Sequence, residues 1–494
     1  MSEPLLNSRV PASALSRASG GRRVDGNRVI LQFEGPATFD RWIEAIHEAE
    51  HFVHFENYIL RNDDLGRRMR DALVERALAG IPVRVLFDWV GCWATPRRFW
   101  KPFREAGVEV RAFNRPSFRD PFGLLQRDHR KLVAVDGRLA FLGGFCVGQE
   151  WAGTETEPPW RDTGVEIQGP AAAVAAQGFQ RIWAEMGEPV PAELEVDPAE
   201  VPPAGDTPLW LIEGRPWRTR VYRVTQLLSA HARDRIWITD PYFVAPRAVR
   251  EALAGAARDG VDVRVLVPAH NNWPWVGSLS RGGYRPLLEA GVRIFEWQGS
   301  MIHAKTAVVD DYWSRVGSSN LNAASLLGNW ELDAGVIDED LAHQVAGLFM
   351  ADLASAVEIL LPSEFRERED EAGQGISTLE EDPDLASRWR SWTRRPSGAQ
   401  ALTLADFVRA GSSLGDAIAG HRVVGREDRA VLAALTTALL GGAILAFFLP
   451  RTVAWTLAAL MAWLGGVLAL RGALQYVRAR RQTRRLRRNR ADDS

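Results

Sequence analysis

The segments HRKLVAVD at 129–136 and HAKTAVVD at 303–310 carry the same three residues at the same spacing: His129, Lys131 and Asp136 in one, His303, Lys305 and Asp310 in the other. Residues two apart in an extended chain share a face, so each histidine points the same way as its lysine. Asp136 and Asp310 lie an odd number of positions beyond their lysines, on the opposite face of a regular strand, and read as structural residues. One such triplet is most simply a packed or edge strand. Two copies at matching places in a repeat point to a shared purpose.

The chain around them is duplicated. FVHFENY (52–58) alternates as a strand does, a helical pattern follows over 65–78, and GIPVRVLF (80–87) is a second strand. The order returns with IWITDPY (236–242), a helical 248–257 and GVDVRVLV (260–267). REAGVEVR (104–111) and LEAGVRI (288–294) then start 184 positions apart, each ahead of its His–Lys segment. Strands alternating with helices imply crossover connections. The expected fold class is therefore α/β: two pseudo-symmetric α/β/α halves, each with a largely parallel sheet, meeting at a shared interface site. The halves span 28–188 and 209–362, joined by a linker at 189–208 rich in Pro and Glu.

At 494 residues, with 46% hydrophobic and 25% charged, the chain is globular with two or three domains rather than disordered or fibrous. Two cysteines, Cys92 and Cys146, are too few for a disulfide framework or a zinc cage. The net charge of -2 conceals a division: residues 471–494 hold nine Arg and two Asp, leaving 51 basic against 60 acidic residues in the body. An acidic body argues against sequence-independent nucleic-acid binding, which draws on a basic groove. Paired halves would instead bring two imidazoles and two ammonium groups to one interface. That supplies a nucleophile, a general acid and fixed positive charge around an anionic centre, as phosphodiester exchange requires, with no metal or cofactor.

The ends differ from the body. Residues 1–27 are polar, lack the apolar core of a secretory signal and read as a flexible tail. Residues 363–425 form a polar and amphipathic connector, in which Trp389 and Trp392 alternate with arginines in a manner suited equally to a membrane interface and to a surface helix anchored by the two rings. Residues 430–449 and 452–470 hold no charge, and at about 1.5 Å per residue either crosses a hydrocarbon core of about 30 Å. Residues 426–471 thus read as a transmembrane hairpin. Arg426 and Arg429 before it and the basic tail 472–494 after it put both ends on the cytoplasmic side. The tail arginines suit an anionic membrane surface.

On these residues the chain resembles the phospholipase D superfamily, and within it the bacterial cardiolipin synthases, over residues 28–362. GSSN (317–320) with Ser325, Asn329 and Glu331 is similar to the family's second motif; GGFC (143–146), Glu150, Trp151 and WRDTGVEIQGP (160–170) are similar to its first. The resemblance implies ping-pong exchange through phosphohistidine, with His129 as nucleophile and His303 as general acid and base. It implies that Lys131, Lys305, Asn320 and Ser318 hold the non-bridging phosphate oxygens. It also implies a carboxylate for each ring, Glu331 for His303 and Asp162 for His129. Cys146 departs from the family's Asn at that place and removes one amide donor; the thiol reads as a small buried hydrophobe.

The implied substrates are phospholipids, phosphatidylglycerol and a second phospholipid, at the bacterial cytoplasmic membrane with the catalytic body facing the cytoplasm. With water as acceptor the same residues would make a phospholipase D releasing phosphatidic acid. The fold also accommodates a nuclease or an inactive membrane scaffold, and the sequence fixes no oligomeric state. Trp89, Trp93 and Trp100 in one half, and Trp273 and Trp275 in the other, follow equivalent strands. Loops after such strands build sites in open α/β folds, so these rings pack in the core, receive acyl chains or touch a bilayer.

Overall fold

The computed structural model describes residues 10–115 and 126–361, apart from 217 and 219. The connector, hairpin and basic tail expected over 363–494 lie outside the described residues. Among the described residues no helix is long and apolar enough to cross a membrane.

The first half supplies β1 (Val24–Gln32), β2 (Val53–Asn57), β3 (Val83–Asp88), β4 (Glu109–Phe113), β5 (Lys131–Val135), β6 (Leu139–Gly143) and β7 (Gly164–Gln168). The second supplies β8 (Thr207–Gly214), β9 (Arg235–Thr239), β10 (Asp262–Pro268), β11 (Arg293–Trp297), β12 (Thr306–Val309), β13 (Trp313–Gly317), β14 (Glu331–Ile337) and β15 (Ala356–Ile359). They form one sheet in the order β15-β11-β10-β9-β12-β13-β14-β8-β1-β7-β6-β5-β2-β3-β4. Read outward from the β8–β1 junction the two halves repeat each other, with β15 added at one edge.

The sheet is mixed, which corrects the expectation of largely parallel halves. Only β2-β3-β4 and β9-β10-β11 run parallel; β5, β6, β7 and β1, like β12, β13, β14 and β8, are antiparallel to their neighbours. The His–Lys strands β5 and β12 turn straight back into β6 and β13. A short turn can join only antiparallel strands. At these turns Asp136 and Asp310 adopt left-handed backbone, with φ of 55° and 50°.

Alternation along the strands sets the layers. Val133 and Val135 of β5 pack with Phe39, Trp42, Met69 and Leu73 on the helices Gly35–His47 and Asp64–Leu78. Leu132 and Ala134 face the helix Pro170–Glu185 on the other side. In the second half Ala307 and Val309 pack with the helices Arg220–Ser229 and Arg247–Arg258, while Val308 joins the layer containing the helix Glu339–Leu353. That last layer is continuous across both halves and holds them together.

Of the tail expected over 1–27, residues 10–27 are described and are more ordered than their composition implies. Residues 12–19 form a helix whose Leu15 and Ala18, with Val10, are buried in the core of the second half. Ser16 Oγ accepts a 2.9 Å hydrogen bond from Trp210. Pro11 before this helix and left-handed Gly20 after it are start and stop signals that the polar composition obscured. The linker is pinned in the same way: Gln177 and Gln180 donate to the carbonyls of Val196 and Leu194, and Val201 is buried.

Candidate active site

His129 and His303 each stand just ahead of a strand, in short stretches that cross between the halves. The His129 amide donates to Trp330 O at 2.9 Å, and Trp330 N donates to Arg127 O at 2.8 Å. The mirror arrangement joins His303 N to Arg161 O and Arg161 N to Met301 O, at 2.6 and 2.9 Å. Each histidine is therefore bridged to the residue that precedes a carboxylate of the opposite half.

This crossing fixes the pairing. His129 Nδ1 lies 3.0 Å from Glu331 Oε2, and His303 Nδ1 lies 2.6 Å from Asp162 Oδ2. The sequence-based pairing of Glu331 with His303 and Asp162 with His129 is thus reversed. A backbone bridge brings in the next residue along the partner strand, and that residue belongs to the other half. Arg161 reinforces the link through a buried 3.1 Å ion pair with Asp352 on the helix Glu339–Leu353.

Both carboxylates are held in turn. Asp162 accepts from Trp151 Nε1 and the Thr163 amide, each at 2.8 Å. Glu331 accepts from Ser318 Oγ at 2.6 Å, from Asn329 Nδ2 at 3.2 Å and from Ser325 Oγ. Ser318 therefore does not fit its expected role on phosphate. Its single hydroxyl proton goes to Glu331, its oxygen accepts from the Leu332 amide, and the side chain is fully buried. Gly144, at the matching place in the first half, leaves room for a closer carboxylate: a Cβ there would sit 2.0 Å from Asp162 Oδ1.

Lys131 and Lys305 are buried beside their histidines. Lys131 Nζ donates to His129 O and lies 5.1 Å from the centre of the Tyr58 ring. Lys305 Nζ sits 2.8 and 2.9 Å from the two ring nitrogens of His303. Asn320 Oδ1 is buried without a hydrogen-bond partner among the described residues. Cys146 is buried, and burial pushes its thiol up, against the pull of the nearby Lys131 and Lys305. The small-hydrophobe reading of Cys146 fits that environment.

Asp136 and Asp310 sit at the far ends of their strands. Asp136 accepts from the amides of Glu50, His51 and Phe52, each at 2.8 Å, and Asp310 accepts from those of Arg233, Asp234 and Arg235. Each ties the hairpin turn to the loop that enters the neighbouring antiparallel strand, β2 in one half and β9 in the other.

Four aromatic residues stand at the histidines; Trp151 and Trp160 belong to the first motif but have no role assigned there, and Tyr58 and Tyr242 were not singled out for this site. Tyr58 packs edge-on against His129 at 4.9 Å between ring centres, and Tyr242 stands 5.9 Å from His303. Trp151 and Trp160 lie 5.3 and 5.9 Å from the His303 ring. The tyrosines had a signal in the repeat, since FVHFENY and IWITDPY both end in Tyr.

Electrostatics follow from this enclosure. Burial pulls His129 below its ordinary pKa; Lys131 adds to the shift and Glu331 opposes it. Burial and the Lys305 charge bring His303 down to about 3. Burial also lowers Lys305, to about 8. For Asp162 burial acts upward, but the His303 ring and Lys305 outweigh it and hold the carboxylate at about 2. Glu331 is likewise lowered, with His129 and Lys131 overcoming burial. Each lysine also acts on the opposite histidine, Lys305 on His129 and Lys131 on His303, so the four groups share one field. The result is two neutral imidazoles, each oriented at Nδ1 by a carboxylate, beside two buried cations.

A family profile described as the PLD-like domain of cardiolipin synthase matches residues 42–183 and 224–353, each range containing one His–Lys pair. The chain is 35% identical over 336 residues to cardiolipin synthase A of Pseudomonas fluorescens, covering 67% of this chain and 70% of that one. It is 34% identical over 355 residues to cardiolipin synthase A of Pseudomonas aeruginosa, covering 70% and 71%. Among solved structures, the phosphatidylserine synthase of Haemophilus influenzae matches with a TM-score of 0.57 at 14% identity, over 73% of this chain and 96% of that one. That last likeness is one of fold.

Proposed function

Since the chain belongs to the phospholipase D-like family of the cardiolipin synthases and is a phosphatidyltransferase, we propose that it moves the phosphatidyl group of phosphatidylglycerol to a second phospholipid through a covalent histidine intermediate. The observation that carries the reading is the crossed arrangement, in which His129 with Glu331 and His303 with Asp162 complete one buried site from two halves.

His129 is the nucleophile. Its Nδ1 is engaged by Glu331, which leaves the Nε2 lone pair to attack phosphorus. His303 gives its proton to the departing glycerol oxygen as the phosphorus–oxygen bond breaks. The ring starts neutral; the arriving phosphodiester anion favours its protonated form, as an opposite charge does, so the ring takes a proton from water as substrate binds and returns it to water as product leaves. In the second step His303 takes the proton of the incoming lipid hydroxyl, whose oxygen displaces His129 from phosphorus and restores the free ring. Lys131, Lys305 and the Asn320 amide stabilise the non-bridging oxygens as charge spreads over them. Ser318, Ser325 and Asn329 act one step removed, by holding Glu331.

The lipid substrates, the apolar segments 430–449 and 452–470 and the basic tail together favour work at the bacterial cytoplasmic membrane, with the catalytic unit and the tail on the cytoplasmic, anionic surface. The test is incubation of the purified full chain with phosphatidylglycerol vesicles and mass analysis of the products, repeated with His129→Ala and His303→Ala. Cardiolipin and glycerol from the unaltered protein alone support the proposal. Phosphatidic acid as the only lipid product contradicts transfer and points to hydrolysis.

A further inference from the structure

The two halves differ at one place that their shared fold makes comparable, the space beyond the carboxyl end of the second parallel strand. In the second half this space, beside Val267 and Pro268, is only about 10 Å³, closed by buried Tyr284 and by the 2.7 Å ion pair of Arg281 with Glu296. In the first half it is a cavity of about 540 Å³ beside Phe87, within the range of about 300–1,000 Å³ usual for ligand sites. Its wall is aromatic: Trp100 stacks on Phe87 at 4.0 Å between ring centres, and Trp89 and Trp93 complete it, with Trp93 71% exposed. Its rim carries Arg97, Arg104 and Arg115, all exposed and without an ion-pair partner among the described residues. At the place of Arg104 the second half has Leu288.

The cavity is linked to the chemistry through Cys92 and Asp88. Cys92 lines it, and its sulfur accepts from the Leu60 amide at 3.2 Å and lies 3.6 Å from Tyr58 O. The Tyr58 ring is the one that packs on His129 and under Lys131. Asp88, at the end of β3, ties the loop lining the cavity to the His129 stretch by accepting from Val90, Gly91 and Asp128 amides.

An apolar wall with three guanidinium groups at its mouth, unpaired among the described residues, matches a phospholipid, an acyl chain with an anionic phosphate at one end. We infer that this cavity binds the acceptor phospholipid, its acyl chain against Trp89, Trp93 and Trp100 and its own unreacting phosphate on Arg97, Arg104 and Arg115, so that its hydroxyl reaches the phosphatidyl-histidine. This rests on the transfer reading above. Joining two phospholipids needs a place for a second phosphate that does not react, and only one half has to supply it.

The test separates the two steps of the exchange. Full-length protein in phosphatidylglycerol vesicles is given isotopically labelled glycerol. Label entering phosphatidylglycerol reports formation and reversal of the histidine intermediate, and cardiolipin reports use of the lipid acceptor. In Arg97→Ala with Arg104→Ala, the ratio of cardiolipin to exchanged glycerol is expected to fall about ten-fold or more. Arg104→Leu, which copies the second half, lowers the same ratio by a smaller factor. An unchanged ratio in both variants overturns the inference, whether total activity is retained or lost. A wild-type protein that forms neither labelled phosphatidylglycerol nor cardiolipin refutes the transfer reading itself, and the inference falls with it.

Discussion

The crossed pairing assigns each carboxylate to one chemical step, and substrates with different leaving groups separate those steps. Glu331 acts through His129, the nucleophile, and Asp162 through His303, the proton donor. Glu331→Gln and Asp162→Asn preserve shape and remove charge. Each loses a charge-assisted bond, from Nδ1 to carboxylate oxygens at 3.0 and 3.1 Å in one case and at 2.6 Å in the other. Such a bond contributes about 1.5–3 kcal/mol, so each variant should slow the first turnover on phosphatidylglycerol about 10- to 150-fold. A phosphatidyl ester of nitrophenol needs no proton on its leaving oxygen. With it, the first-turnover burst of nitrophenolate, followed by stopped-flow absorbance, should recover to near the wild-type rate in Asp162→Asn and stay slow in Glu331→Gln. Recovery in Glu331→Gln instead would refute the assignment of roles, and recovery in both or neither would refute the division of labour between the two pairs.

With Lys305 titrating at about 8 and required as a cation, kcat/KM should decline as pH rises through 8, and a profile flat to pH 10 would contradict its role on phosphate. His303 titrates at about 3 in the folded protein and near 6.5 when unfolded, so stability should fall as pH drops from about 6.5 towards 3, at most about 1.4 kcal/mol per pH unit. Denaturant titrations of wild type and His303→Asn over that range check this, the variant showing the shallower slope. Cys146→Asn returns an amide donor to the first half and should raise kcat/KM about 2- to 10-fold, an effect of about 0.5–1.5 kcal/mol; a fall would show that the buried site has no room for it. Asp136→Ala removes an ionised acceptor shared by three amides and should lower stability by about 1.5–3 kcal/mol, with little effect on kcat in the protein still folded. A large kcat loss without a drop in Tm would make Asp136 more than structural.

The duplication was legible because its signals are local. Alternation in KLVAV separates Lys131, Val133 and Val135 from Leu132 and Ala134, and the structure puts these sets on opposite faces. The helical patterns over 65–78 and 248–257 correspond to helices at Asp64–Leu78 and Arg247–Arg258. What sequence could not give is whatever depends on the seam. Asp128 bridges to Trp330 and Arg161 to Ile302, pairs far apart in the chain with no periodicity linking them, and these bridges decide which carboxylate meets which ring. Strand direction was misjudged for a related reason. Helical crossovers precede β3 and β10, but β5 and β12 are followed by tight turns, which reverse the chain. Ser318 sits in the right motif for phosphate, yet the longer Glu331 side chain occupies its only donor, a competition visible only in three dimensions.

The most direct measurement is to trap the intermediate. Protein mixed with phosphatidylglycerol labelled in its phosphate is quenched in alkali, which preserves phosphohistidine, digested and mapped by mass spectrometry. The phosphatidyl label should sit on the peptide containing His129, persist longer when His303→Ala slows the second step, and vanish in His129→Ala. Label on His303 instead, or cardiolipin formed by His129→Ala at the wild-type rate, would contradict the mechanism.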